Sequence, residues 1–481
     1  MTVQKQEQSK KKTTFRLNPK RGPVRLDYAL FGVGMVVCFL LFNHPDIQET
    51  ARHAYILIRS TLDGDFLNFF ENTFSRVYGY PYVNAAHYNI LMYILYAIWE
   101  LPLYLIERIG GFAFSDLTLS LWCKVIGVSF YLGCGFLVQR LAQQLHCRKT
   151  ACRWAPLMFW LNPISFFTTV VMGQYDSICL FFTLLALVLF FEKKYWKFVL
   201  MAGVGIVFKF FPLFLMIPLL LLVEKRPLRL LGYGAASLWL YLPTTLLFMG
   251  RTGDAAFFNQ LMSQRLFASV FSGGMMDASR FGLVIILICV AAYLYHPADD
   301  WALRDAALYG SMVVLSCLFL LVLWHPQWVI LLVPFLLLVG MRQRDRAAFA
   351  YLNGAFCIGF FLLTAMVFPK GLEGNLLDLG ALSPVIGPLY GLAELPRSNA
   401  FYFGLLPYFK ELAPLLFYGP LFCYMLFALP LRNGSLADRL NGGHSEKFSN
   451  RLACWGIFAV AFVGFWLLPS LFSYLKTVGV L

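Results

Sequence analysis

Asp46 stands a few residues beyond the apolar run Tyr28–Phe42, in the stretch Asn43-His44-Pro45-Asp46. A carboxylate there is held at the boundary between lipid and water, where a lipid-carried head group meets the solvent, and it can accept a proton from an attacking hydroxyl. Other polar groups gather at the ends of apolar runs. Gly173-Gln174-Tyr175-Asp176 closes a run that begins at Trp154-Ala155-Pro156, and Trp324-His325-Pro326-Gln327-Trp328 makes a tight turn between two runs. Lys209 lies deep inside a third run, where ionisable residues are usually functional. With orientation assigned from the basic clusters, Asp46, Asp176 and His325 fall on one membrane side, an arrangement that describes an interfacial active site.

Each of these residues also has a purely structural reading. Asp46 can cap a helix whose apolar stripe, Ile47, Ala51, Ala54 or Tyr55, and Ile58, lies on the membrane, and Asp176 can cap the helix that follows it. Lys209 can snorkel to an interface, and His325 can be a satisfied polar residue of its turn. His146-Cys147 with Cys152 offers too few ligands for a zinc site. The remaining cysteines lie mostly in apolar runs and read as small buried hydrophobes rather than as a disulfide framework.

The elements that must position these residues follow from composition. With 59% hydrophobic and only 13% charged residues over 481, and a mean hydropathy of +0.68, the chain is too apolar for a soluble domain. It reads as an all-α polytopic membrane protein with about 12–13 transmembrane helices and an amphipathic helix in its first outer loop. The net charge of +14 comes from short clusters between apolar runs, which orient spans and argue against a nucleic-acid partner. Arg140–Arg153, Lys193–Lys197, Lys225–Arg229, Arg342–Arg346 and Arg432–Arg451 are expected inside, with the basic tail 1–26, and Tyr28–Phe42 then reads as an uncleaved anchor. The outer loops are 43–88, Gly250–Arg280 and Pro369–Lys410. Two irregularities remain. The runs His87–Ile106 and Leu117–Val138 must together make one net crossing, and Phe198–Val223, basic at both ends, must be a pair of half-spans broken at Lys209-Phe210-Phe211-Pro212 around a cavity. The chain divides into the tail 1–26, a module 27–229 and a second module 230–481.

In these motifs and their order the chain resembles the multi-spanning glycosyltransferases of the GT-C class. The resemblance rests on Asp46 with its long first outer loop, on Asn162-Pro163 leading to Gly-Gln-Tyr-Asp at 173–176, on Lys-Phe-Phe-Pro-Leu at 209–213, and on the turn His325–Trp328. It covers roughly the first 340 residues. The later turn reads His-Pro-Gln where relatives carry His-Glu-Lys, and His87-Tyr88-Asn89 stands where relatives often carry Tyr-Pro-Pro.

The resemblance implies an enzyme that moves a sugar from a polyprenyl-phosphate carrier to a glycan, a glycolipid or a surface polymer on the outer or lumenal face. It implies a single inverting displacement with Asp46 as the base. Lys209 and His325, with Arg52 or Arg59 as alternatives, would steady the departing phosphate, and Gln174, Tyr175, Asp176, His87 and Tyr88 would contact substrate. No cofactor is expected. Asp63-Gly64-Asp65 has the Asp-x-Asp spacing that holds a metal in nucleotide-sugar enzymes, but a lipid monophosphate needs less charge neutralisation, and a solvated turn is the simpler reading. The rival function is a lipid or polysaccharide transporter or flippase, which would carry paired charges in the middle of several spans.

Overall fold

The computed structural model describes residues 22–74, 86–251, 270–271, 278–367, 376, 379–385, 406–431, 434–441 and 448–468. The basic tail up to residue 21 and most of the loops Gly250–Arg280 and Pro369–Lys410 lie outside the described residues. The described chain is all-α apart from two short antiparallel ribbons, Val270–Phe271 with Ala278–Ser279 and Pro430–Leu431 with Gly434–Ser435. Helices prevail because a segment surrounded by hydrocarbon must satisfy its backbone polar groups internally.

The first half contains α1 (Arg25–Leu41), α2 (Pro45–Leu62), α3 (Phe69–Phe74), α4 (Ile90–Gly110), α5 (Asp116–Gln144) and α6 (Lys149–Trp160). There follow α7 (Pro163–Phe166), α8 (Asp176–Phe191), α9 (Tyr195–Phe208), α10 (Phe211–Val223), α11 (Pro227–Ser237) and α12 (Tyr241–Leu247). The second half adds α13 (Arg280–Leu294), α14 (Asp300–Leu321), α15 (Val333–Arg342), α16 (Arg346–Val367), α17 (Leu412–Phe427) and α18 (Asn450–Ile457), the last prolonged to Leu468. Five of these, α4, α5, α14, α16 and the prolonged α18, are long and apolar enough to cross a bilayer singly. Three more segments are bent pairs: α1 with α2 at 74°, α6 with Pro163–Val171 at 44°, and α11 with α12 at 52°. The protein is thus an all-α polytopic membrane protein.

Ion pairs and carbonyl contacts gather the basic clusters at one end of the bundle. Arg140 meets Glu192, Lys193 meets Asp300, Arg342 meets Asp305 and the Leu145 carbonyl, and Arg451 meets Asp27 at the start of α1. Lys225 caps the far end of α13 through the carbonyls of Ala292, Tyr293 and Tyr295. Since α9 begins at this end and α10 returns to it, the two form a re-entrant pair whose apex is Lys209, as the basic flanks predict. The helix α4 resolves the other irregularity. Its first residues follow Tyr88, which packs on Tyr175, and a short loop after its last residue leads to Asp116, which pairs with Arg52 of α2. Both ends of α4 therefore lie toward α2, and α5 makes the net crossing.

The stripe Ile47, Ala51, Ala54, Tyr55 and Ile58 on α2 is buried inside the protein. It does not lie on the membrane: α2 packs against α4 and α5, with His53 edge-on to Tyr93 and Tyr55 edge-on to Tyr104. An amphipathic period states that one face is buried, and here the covering surface is protein rather than lipid.

Candidate active site

The α1–α2 corner presents Asp46 at the end of the bundle opposite the basic clusters. Pro45 occupies the first helical position, where its missing N–H and fixed φ suit a helix start. That places the cap one residue earlier, so His44 and not Asp46 is the N-cap: its Nδ1 accepts the Asp46 backbone N–H at 3.1 Å. The imidazole is thus neutral with its proton on Nε2, and burial pushes its pKa down from the ordinary value, against the opposing pull of Asp46. Asp46 is left in the first turn of α2, where the helix dipole favours its charge. Its side chain is 49% exposed, so one side is free to meet a ligand.

The other side of Asp46 is fixed by Gln174, whose Nε2 donates to Asp46 Oδ2 at 2.8 Å. The backbone that carries Gln174 is built for this approach. Asn162 caps α7 by accepting from the N–H groups of Ile164 and Ser165, a π-turn at Phe167–Val171 follows, and Gly173 takes φ +67°. A Cβ at Gly173 would lie 3.2 Å from Lys124 Cγ, so both the backbone sign and the space call for glycine.

Behind Asp46 lies a buried ion pair, Lys209 Nζ to Asp176 Oδ1 at 2.7 Å. The contact is direct, but its angles fall short of a hydrogen bond, and neither group has an aligned partner elsewhere among the described residues. Both therefore retain hydrogen-bonding capacity. Three rings surround the ammonium: Tyr175 at 5.1 Å, Tyr88 at 5.8 Å and Trp328 at 5.9 Å from their centroids. Rings at such distances attract a cation through their negative faces. Asp176 is the first residue of α8 and pairs with Lys209; the N-cap position belongs to Tyr175.

Lys124 of α5 ties these parts together. It is buried, and its Nζ donates to the carbonyls of Phe39 and Phe42 at 2.9 and 2.7 Å, capping the end of α1. Nearby, Asn43 donates to Ser120 of the same helix at 2.8 Å. The corner bearing Asp46 and the loop bearing Gln174 thus rest on one stretch of α5.

The structure brings together Asp46, Gln174, Tyr175, Asp176, Lys209 and Tyr88. His87 packs on Tyr88, and His325 reaches the cluster through Trp328, their rings 5.2 Å apart. Two predicted residues fall elsewhere. Arg52 is engaged by Asp116 at 2.6 Å, and Arg59 lies about 20 Å along α2 from Asp46 at 1.5 Å per residue. Asp65 accepts from Asn68 and Asn72 at 2.6 and 2.8 Å, so it closes a local turn. All eleven cysteines are free. Two supports were missed by sequence reasoning. His44 was signalled by Pro45 at N1, whereas nothing local to Lys124 announces the carbonyls it caps. Two cavities lie at the basic end, away from Lys209.

An all-α bundle with this many long apolar helices defines an integral, multi-pass membrane protein, and Asp46 and Lys209 lie toward one end of it. Residues 101–323 match the family model of glycosyltransferase family 87, and over that stretch the chain is similar to these multi-spanning, GT-C-like enzymes. The match takes in Lys124, Gln174, Asp176 and Lys209, and it indicates a glycosyltransferase. No curated protein and no solved structure matches the chain.

Proposed function

We propose that the protein transfers a sugar from a polyprenyl-phosphate carrier to an acceptor glycan, glycolipid or surface polymer, at the membrane face opposite the basic clusters. The observation that carries this reading is the placement of a half-exposed Asp46, held by Gln174, in front of the Lys209–Asp176 pair. An acceptor hydroxyl gives its proton to Asp46 as its oxygen bonds to the anomeric carbon. The bond from that carbon to the phosphate oxygen breaks, and the electron pair leaves with the lipid phosphate. Lys209, oriented by Asp176, offsets the charge that develops on the phosphate, with His325 at the rim of the cluster. Attack and departure on opposite sides of the carbon invert its configuration. Since the leaving group is a monophosphate and the lysine is built in, the reading assigns no divalent metal to the reaction.

Asp46→Asn tests it. Asn retains an oxygen for Gln174 Nε2 but accepts no proton at neutral pH. Turnover with a synthetic polyprenyl-phosphate sugar should fall roughly 100-fold to 10,000-fold, the usual worth of a general base, with melting little changed. A variant with wild-type turnover would exclude Asp46 as the base.

A further inference from the structure

At the basic end, α6, α15, α16 and α18 enclose a cavity whose walls are apolar, formed by Met158, Leu336, Phe349, Ala453 and Ile457 among others. Two polar groups mark one end of it. Arg346, the first residue of α16, places its guanidinium 5.4 Å over the Phe448 ring, leaves Nε without a hydrogen-bond partner and has no ion pair with a described carboxylate. Asn450, 3% exposed, has an unpartnered Oδ1. A second cation, Arg148, is close enough to bear on Arg346. From Arg346 the wall runs along α16 to Asn353, about 10 Å at 1.5 Å per residue. Buried polar groups without partners are costly, so their concentration at the mouth of an apolar cavity indicates a bound group that is anionic and hydroxylated at one end and hydrocarbon at the other.

We infer that this cavity holds one anionic phospholipid of the leaflet at the basic end. The phosphate meets the Arg346 guanidinium, a head-group hydroxyl turns toward Asn450, and an acyl chain lies between Met158, Leu336, Phe349 and Ile457. A phosphoglycerol head group supplies both: the charge on its phosphate and the hydroxyls on its glycerol. The site stands apart from Asp46 and Lys209, and it does not depend on the reaction they carry out.

The test is native mass spectrometry of the purified full chain in detergent, titrated with phosphatidylglycerol and with phosphatidylcholine of the same acyl chains. Phosphatidylglycerol should bind at least about tenfold more tightly, Arg346→Gln should abolish that preference, and Ala453→Phe, which fills the apolar wall and leaves the charge, should weaken both lipids. Glycerol 3-phosphate, which has no chains, should not compete. Equal affinity of the wild type for the two lipids, or a preference that survives Arg346→Gln, overturns the inference. Competition by glycerol 3-phosphate also overturns it and makes the site one for a soluble anion. If Arg346→Gln does not fold, Ala453→Phe decides, and unaltered lipid affinity in that variant sinks the proposal.

Discussion

Lys209 and Asp176 depend on each other before they can serve a substrate. Removing either alone strands a charge in a buried site, which costs about 3–5 kcal/mol, so activity lost in Lys209→Met would mix misfolding with chemistry. The double variant Lys209→Met, Asp176→Asn removes both charges and should recover most of the melting temperature. If the lysine acts on the donor phosphate, turnover of the double variant should nevertheless stay roughly 100-fold or more below wild type. Recovery of turnover together with stability would reduce the pair to a structural clamp for the α9–α10 apex. His44 yields a prediction about pH. Its folded pKa is lowered, so the unfolded chain takes up the proton more readily, and the stabilisation present above about pH 6.5 is lost as pH falls below that value. His44→Asn keeps a strong N-cap and removes the titration, so its melting temperature should decline less than wild type between pH 7 and 5. Parallel declines would show that His44 does not carry the acid sensitivity.

At the scale of elements, α5 is the beam on which the site rests, and Lys124 is the joint. Lys124→Met would leave two α1 carbonyls without their donor, each worth about 1–3 kcal/mol when buried and unsatisfied. The corner that aims Asp46 should loosen, and turnover per folded molecule should fall along with melting temperature. Unchanged turnover per folded molecule would confine Lys124 to stability. Much of this scale is legible in the sequence. The break at Lys209 follows from basic residues on both flanks of one apolar run, whereas residue type suggests a cap at Asp46 although Pro45 at the first helical position signals His44. The path of α4 is not, because Ile90–Gly110 has the length and apolarity of a span and only the contacts of Tyr88 and Asp116 bring both its ends to one side. The same holds for α2, whose stripe reads alike whether lipid or protein covers it.

Across the whole molecule, the basic clusters and the site sit at opposite ends, separated by the length of α8, about 24 Å for its 16 residues. The site does not respect the division at residues 229 and 230, since Trp328 from the second module closes over Lys209. Residue types and order in the sequence pointed to Asp46, Gln174, Asp176 and Lys209; the contacts that place Lys209 among Tyr88, Tyr175 and Trp328 and pair Arg52 with Asp116 join residues far apart in the chain and exist only once it is folded. The central claim is that this end of the molecule takes its sugar from a lipid phosphate. The direct measurement is release of free polyprenyl phosphate when purified protein is given a synthetic short-chain polyprenyl-phosphate sugar and an acceptor mixture, with EDTA and without any nucleotide sugar. The account predicts stoichiometric release and sugar transfer that EDTA leaves unchanged. Transfer that needs a nucleotide sugar, with the lipid donor left intact, would contradict it.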